Sequence, residues 1–332
     1  MLASAEQGGF VMKAMLGAFA LAVLAASAAA QESGGPPIIV EAHRDPRVVR
    51  NYVETVSVTS QAAGVLGRWN ERICPSVAGA STTDAQFIID RIARRANALG
   101  LQTGAPGCSP NITVVVTPNS DRFTQQVYEQ RRQILIGANG VESTTLGSAA
   151  LQDFVNTPRP IRWWLVSQTV MSDGSILADT TSRAMQGSGA ASARATQAAA
   201  GSGPTAASGG GGEGLSGINT TRSNGTRLLG NTRQDFNYAL VIIDSTRTAG
   251  APLAAIADYV AFVALAQVNM SARAADYPTI LNLFSAPSDQ SRPTQLTAWD
   301  IAYLDALYHM TRNARNLQQQ RDELTRRIAP AS

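Results

Sequence analysis

The sequence predicts a mixed α/β (α+β) fold in which a single mixed sheet of five or six strands is packed with helices. Short β-branched runs typical of buried strands alternate with segments whose apolar residues recur at helical spacing. Apolar residues make up 44% of the 332 residues, which is ample for one core. Residues 184–226, rich in Gly and Ser, contain almost no large apolar residue and predict a disordered insertion, because they cannot offset the entropy of ordering.

The N-terminal residues 1–30 have the pattern of a secretory signal peptide. Lys13 precedes an apolar run, and Ala28-Ala29-Ala30 supplies a cleavage site of the A-x-A type. The run is too short to span a membrane, so an uncleaved anchor is the weaker alternative. We therefore expect cleavage after Ala30 and a periplasmic or secreted protein with no transmembrane anchor after cleavage.

Arginine carries almost all of the positive charge. The 27 basic residues are 26 Arg and the single Lys13, and the formal net charge is +3. Because no lysine follows the predicted cleavage site, lysine Schiff bases, P-loops and Ser–Lys dyads are excluded from the mature chain. The arginine doublets are interleaved with acids, so no nucleic-acid partner is predicted.

The region before the insertion predicts alternating strands and helices. The apolar stripe of residues 84–99 predicts a helix that Thr82 or Thr83 caps and Gly100 ends. Other expected elements are strands at 38–40, 69–77, 112–117 and 161–171, a strand or short helix at 47–59, a helix at 120–136, a turn at 172–175 and a hairpin return at 176–178.

The region after the insertion predicts one strand and three helices. Residues 238–244 form a strand, and residues 252–270 form a central helix that is apolar nearly all round. Thr297 and Asp300 resemble a capping box. It opens a helix with Ile301, Leu304, Leu307 and Tyr308 on one face, and a polar helix follows at 311–328. Residues 31–183 and 227–332 are interpreted as one domain; two domains hinged at the insertion are the alternative.

Cys74 and Cys108 are the two cysteines of the chain. An even number of cysteines in an exported chain predicts a disulfide bond. The bond would clamp a strand–helix–strand unit, and two separate buried thiols are the alternative. Neither cysteine has a C-x2-C partner, so no zinc site is predicted.

No catalytic constellation is evident in the sequence. Only two histidines exist, His43 and His309, and they cannot form a three-histidine metal site. Gly-x-Ser-x-Gly does not occur after a strand. Asp244 and Asp258 flank a loop and could meet. A hydrolase site assembled from His43, His309 and Asp244 is therefore the alternative to a non-catalytic protein; no metal or cofactor is predicted.

Trp163 and Trp164 are the candidate binding residues. Adjacent residues of a strand point to opposite faces, so one indole ring could offer a stacking platform for a sugar or a peptide. The alternative is that both rings serve packing, one in the core and one under the insertion.

The order of motifs over roughly residues 84–310 resembles a family of uncharacterised secreted alphaproteobacterial proteins. More distantly, it resembles zincin-type metallopeptidases. The strand Val-Ile-Ile-Asp244 leads into the helix 256–267, then Tyr277-Pro-Thr-Ile, and then L-x-x-x-D-x-x-x-L-x-x-L-Y ending at Tyr308. Zincins carry H-E-x-x-H on that helix, and their edge strand, here the strand of Trp163 and Trp164, lies against peptides.

The zincin resemblance implies a degenerate, non-catalytic member of that fold. The positions of H-E-x-x-H hold Asp258, Tyr259 and Phe262, which provide neither a zinc ligand set nor a general base. Our leading hypothesis is thus an exported, non-catalytic protein that binds a protein, a peptide or an envelope component. A peptidase-like hydrolase and a purely structural envelope protein are the alternatives.

Overall fold

The computed structural model describes residues 44–59, 64–136, 143–144, 146–175, 178–179, 219–220, 229–285 and 292–329. All of these residues fall within one compact unit, which runs from His43 to Ser332. The predicted signal peptide, the strand predicted at 38–40, His43 and nearly all of the insertion lie outside the described residues. Asn219 and Thr220, inside the predicted insertion, form a two-residue antiparallel ladder with Ala178 and Asp179.

The described residues form eight α-helices and seven strands. The helices are α1 (Pro46–Val56), α2 (Thr82–Ala98), α3 (Ser120–Gln130), α4 (Gln133–Ile136), α5 (Ser148–Asn156), α6 (Leu253–Leu265), α7 (Ala298–His309) and α8 (Leu317–Ile328), with a 3-10 turn at Ile280–Leu283. The strands are β1 (Pro75–Ala78), β2 (Ile112–Thr117), β3 (Ser143–Thr144), β4 (Ile161–Met171), β5 (Ala178–Asp179), β6 (Asn219–Thr220) and β7 (Thr232–Asp244). No described helix has both the length and the hydropathy to cross a membrane.

One mixed sheet organises the fold, in the order β1-β2-β7-β4, with the two-residue β3 at the edge beside β4. Strands β1, β2 and β7 are parallel, and β4 runs antiparallel to β7 with Trp163 opposite Val241. The mixed α/β class that the sequence predicts is confirmed by this sheet and its helices. β2 and β4 have the predicted bounds because β-branched and aromatic side chains fit a pleated surface buried on both faces.

Helices cover both faces of the sheet. On one face Trp164, Val166, Leu240 and Ile242 pack with residues of α3, α4 and α5. On the other face the alternate residues of the same strands pack with α1, α2, α6, α7 and α8. Helix α6 is buried from Ala255 to Leu265, so the prediction of a central helix that is apolar all round is confirmed.

Several predicted elements have different limits in the structure. The 47–59 segment is a helix, because the Asp45 carboxylate caps it and Pro46 opens it. The strand predicted at 69–77 is limited to Pro75–Ala78, because Cys74 donates its main-chain N–H to the Asn111 side chain instead of to a neighbouring strand. The 120–136 helix is interrupted at Arg131. The helix predicted at 252–270 ends at Leu265, since Val268 pairs with Ser57 in an isolated bridge.

The helix caps were predicted more closely than the faces of the C-terminal helices. Thr297 and Asp300 form the predicted capping box. Ser81, not Thr82 or Thr83, caps α2. Ile301 is 45% exposed, and the buried face of α7 instead includes Tyr303. The polar helix expected at 311–328 begins only at Leu317, where Asn316 supplies its cap.

Candidate functional site

Trp163 and Trp164 lie on opposite faces of β4, and both are buried. The Trp163 indole N–H donates to the carbonyl of Val268 at 3.0 Å, and the Trp164 indole N–H donates to the carbonyl of Leu135 at 2.7 Å. Their exposed fractions are 4% and 1%. Neither ring presents a face to solvent, so binding a sugar or a peptide on either ring would require the core to open.

Cys74 and Cys108 form a disulfide bond, with their Cα atoms 6.1 Å apart. Asn111 adds two hydrogen bonds beside the disulfide. Its side chain accepts from the N–H of Cys74 and donates to the carbonyl of Arg72. The disulfide therefore joins the segment before β1 to the loop between α2 and β2.

The residues of the alternative hydrolase site are not assembled in the described part of the chain. His309 is exposed, and its Nδ1 lies 3.1 Å from the carboxylate of Asp305. Asp258 is buried and is paired with Arg91 and Arg95. Asp258 shares no bonded partner with Asp244, so the meeting of these two carboxylates that the sequence allowed is not observed.

Helix α6 buries the positions that the zincin resemblance aligns with H-E-x-x-H. Asp258, Tyr259 and Phe262 are all buried. Among the described residues, no three His, Cys, Asp or Glu side chains are grouped so that they could hold a metal ion. The zincin resemblance stays a prediction.

A polar cluster lies where the carboxyl ends of β2 and β7 meet. After β2 the chain enters α3 on one face of the sheet, and after β7 it enters α6 on the other face. Neighbouring parallel strands whose connections leave to opposite faces form a topological switch point, a common place for ligands in α/β folds. We call the residues here, Ser120, Asp121, Arg162, Asp244 and Arg247, the Asp244 cluster.

Every charge of the Asp244 cluster has a partner inside the cluster. The Asp244 carboxylate accepts from the Ser120 hydroxyl at 2.7 Å, the Arg247 main-chain N–H at 2.9 Å and the Arg247 guanidinium at 2.8 Å. Burial alone would raise the pKa of Asp244, but these donors outweigh burial and lower it. Asp121 pairs with both Arg247 and Arg162, and the Arg247 hydrogen bond is the main cause of its lowered pKa.

A second candidate site is a cavity of about 350 Å³ beside the C-terminal end of α7, which we call the Arg68 cavity. One wall is the segment 68–72, and the other is the loop 99–102 after α2. Tyr308 and Arg312 complete the lining. Pockets of this volume are in the range that small ligands occupy in proteins.

Main-chain contacts and the disulfide hold the two walls of the Arg68 cavity together. The N–H of Ile73 donates to the carbonyl of Gln102 at 3.0 Å, and the N–H of Gly104 donates back to the carbonyl of Ile73 at 2.8 Å. The Cys74–Cys108 disulfide links the segments that directly follow these walls. The cavity is thus formed by cross-linked segments, although the wall residues lie about 30 positions apart in the sequence.

Arg68 is placed in the cavity by its main chain, which pairs with the start of β7. Its N–H donates to the carbonyl of Gln234, and its carbonyl accepts from the N–H of Phe236 at 2.9 Å. The close approach needs a glycine before it, because a Cβ on Gly67 would lie 2.6 Å from the Phe236 ring.

The Arg68 side chain is 4% exposed and only partly bonded. Its Nη1 donates to the carbonyls of Leu307, Tyr308 and Met310, which end α7, at 2.9, 3.1 and 3.2 Å. Its Nη2 has no hydrogen-bond partner among the residues that the structure describes. Burial, followed by repulsion from Arg312, lowers the pKa of Arg68 to about 10. Nothing in the local sequence distinguishes Arg68, because its burial depends on contacts with residues more than 160 positions away.

A third polar place surrounds Asp300 at the start of α7. Its carboxylate accepts from the hydroxyl of Thr279 at 2.5 Å, the N–H of Ile280 at 2.8 Å and the N–H of Thr297 at 2.9 Å. Burial raises the pKa of Asp300. A surface cavity of about 470 Å³ lies next to this network, lined in part by Tyr277, Thr279 and Thr297. The network ties the 3-10 turn to α7 and is consistent with a structural role.

No protein-family model, curated protein or solved structure matches this chain.

Proposed function

We propose that the protein is an exported, non-catalytic binding protein whose ligand occupies the Arg68 cavity. The observation that carries this proposal is a cavity of about 350 Å³ whose two walls are joined by main-chain hydrogen bonds and by a disulfide. A binding site that is held in shape before the ligand arrives loses less conformational entropy on binding.

The residues that line the cavity favour binding over hydrolysis. The described lining contains no Ser, Thr, Cys or His side chain, and its only carboxylate is the exposed Glu71. Nucleophilic and general-base catalysis need such side chains within hydrogen-bond reach of the substrate. The lining offers some apolar surface from Leu99 and Leu101 beside mostly polar and charged groups, which suits a small polar ligand.

Export is the second part of the proposal. It is supported by the signal-peptide pattern of residues 1–30 and by the Cys74–Cys108 disulfide, which persists in oxidising compartments. Full-length protein produced in a Gram-negative host should appear in the periplasm or the medium with an N-terminus at Gln31. A cytoplasmic protein that retains residues 12–30 would contradict export without bearing on the cavity.

Ligand binding is tested by amide NMR of the mature chain against a library of small polar molecules, both neutral and anionic. We expect the shifted resonances to cluster at residues 68–72, 99–102 and 308–312. Gln102→Trp should reduce these shifts by narrowing the cavity. The matched variant Gln86→Trp, on the exposed side of α2, should leave them unchanged. If no library member shifts these residues, the proposed function is wrong.

A further inference from the structure

One nitrogen of the Arg68 guanidinium lacks an acceptor among the described residues. The three hydrogen bonds to the end of α7 all use Nη1, and Nη2 has no described partner, although the residue is only 4% exposed. A buried charged donor without an acceptor is costly, so such groups are usually satisfied by protein, water or ligand. No described carboxylate pairs with this guanidinium, so Arg68 contributes positive charge to the lining of the cavity.

The charged residues around the cavity indicate the sign of the charge that a ligand would carry. Arg68, Arg72 and Arg312 line the cavity, and Glu71 is their only acidic neighbour in the lining. Arg312 is exposed, forms no ion pair with a described residue, and repels Arg68 strongly enough to contribute to its lowered pKa. Positive charge therefore exceeds negative charge in the part of the cavity that the structure describes.

Asp235 is the nearest internal counterion, and it is already engaged. Its two carboxylate oxygens accept from Nε and Nη2 of Arg233 at 3.0 and 2.9 Å, and Asn70 donates to one of them as well. Its attraction to Arg68 acts without a hydrogen bond between them. No described carboxylate completes the coordination of Arg68.

We infer that the ligand of the Arg68 cavity carries an oxyanion, a carboxylate or a phosphate, which lies close to the exposed Arg72 and Arg312 and balances the charge of the buried Arg68. Arginine presents paired N–H donors that match both groups, and the two share this recognition chemistry. The inference rests on the proposed function and adds the chemical class of the ligand.

The experiment measures binding of inorganic phosphate and, separately, of succinate by calorimetry at constant ionic strength. The mature wild-type protein is compared with Arg68→Gln, Arg312→Gln and the matched control Arg94→Gln, which removes an exposed arginine of α2 outside the cavity. We expect at least one anion to bind the wild type and Arg94→Gln equally, and both cavity variants about tenfold or more weaker, the loss typical of a charge-assisted hydrogen bond. Which anion binds distinguishes a phosphate ligand from a carboxylate ligand.

Three results would overturn the inference. Neither anion binds the wild type, the cavity variants bind as tightly as the wild type, or Arg94→Gln weakens binding as much as they do. If Arg68→Gln fails to fold, Arg312→Gln decides, because that side chain is exposed and has no bonded partner among the described residues. Binding of neutral molecules alone at residues 68–72 and 99–102 would reject the oxyanion and preserve the proposed function; no binding at all would reject both.

Discussion

The Asp244 cluster and the Arg68 cavity both depend on buried or half-buried arginines, but they differ in how the charges are balanced. In the cluster, Asp121 and Asp244 pair with Arg162 and Arg247. In the cavity, Arg68 is held by main-chain carbonyls and forms no ion pair with a described carboxylate. The difference teaches that arginines paired with carboxylates fasten loops as a closed set of charges, whereas an arginine held by carbonyls keeps positive charge that no carboxylate balances.

The reason for the difference lies in what each arginine is bonded to. Carbonyls at the C-terminal end of a helix attract a cation through the helix dipole, so Arg68 is favourable at the end of α7 even without a carboxylate. Carbonyls neutralise a guanidinium less completely than a carboxylate does. Arg247 instead bridges two carboxylates, Asp121 and Asp244, so its charge is balanced within the cluster.

The largest effect on stability is expected from removing the disulfide, which borders the Arg68 cavity and not the Asp244 cluster. Replacing both Cys74 and Cys108 with Ser should lower the free energy of unfolding by about 4 kcal/mol, because a loop with a sequence separation of 34 is no longer closed in the unfolded chain. Urea unfolding measures the loss, with reduced wild type as control.

Hydrogen exchange on the same variant sharpens the comparison. Amides of residues 68–73 and 99–104 should lose protection first, since the disulfide links the segments next to them. Amides of residues 117–120 and 244–248 should stay protected. Equal loss in both places would mean that the disulfide does not act locally on the cavity.

The next effect concerns the closed cluster. Asp244→Asn should cost about 3 kcal/mol, because it removes the charge that pairs with Arg247 and leaves buried donors without a full acceptor. The control Asp305→Asn, on the exposed surface of α7, should change stability by less than about 0.5 kcal/mol. Denaturant unfolding of both variants checks the difference, and a cost for Asp244→Asn no larger than for its control would break the comparison.

A smaller effect is expected for the Arg68 cavity. Arg68→Met should change the free energy of unfolding by less than about 1 kcal/mol, because losing the bonds to α7 is offset by no longer burying a poorly neutralised charge. Thermal and urea unfolding of Arg68→Met beside Asp244→Asn tests this ranking. A larger loss for Arg68→Met than for Asp244→Asn would show that Arg68 is primarily structural.

The smallest effect is a change in pH dependence. The pKa values of Asp244 and Asp121 are lowered in the folded protein, so the unfolded chain takes up protons first on acidification. Their stabilisation is therefore present above the unfolded pKa near 4 and is lost as the pH falls through the folded values. The urea concentration at the midpoint of unfolding should be measured between pH 5 and pH 2. As the pH decreases, it should fall less steeply for Asp244→Asn than for the wild type.

Asp300 provides the control of opposite sign. Its pKa is raised by burial, so its ionised form weakens the folded state, and acidification relieves that cost. Asp300→Asn should therefore not reduce the loss of stability that the wild type shows as the pH falls from 5 to 2. If it reduces that loss as much as Asp244→Asn does, the assignment of the acid sensitivity to the Asp244 cluster is incorrect.

The parts of the fold that sequence patterns predicted best are those whose structure is determined by residues close together in the sequence. The run Ile112–Thr117 and the run Ile161–Met171 are strands with the expected bounds, and the Thr297–Asp300 capping box is present. The predictions were wrong where contacts with residues distant in the sequence determine the local structure. Trp69 reads as part of a strand, but its ring lies in the core and its indole N–H donates to the carbonyl of Ala264.

The residues of the candidate site could not be predicted from such local sequence patterns. Trp163 and Trp164 are conspicuous in the sequence as a large aromatic pair, but each ring packs in one of the two cores. Arg68 is one of many arginines, and nothing local distinguishes it from the exposed Arg94. What distinguishes it is the end of α7, some 239 positions later, which covers its side chain.

Local sequence by itself determined the character of the elements: β-branched runs became strands, and the apolar stretch Leu253–Leu265 became the central helix. The absence of lysine after Lys13 also excluded lysine chemistry from the rest of the chain. Only the tertiary structure decided which charges are paired. Burial and ion pairing are properties of segments brought together from far apart, so the closed Asp244 cluster and the open Arg68 cavity emerge only when the sheet and its helices are assembled.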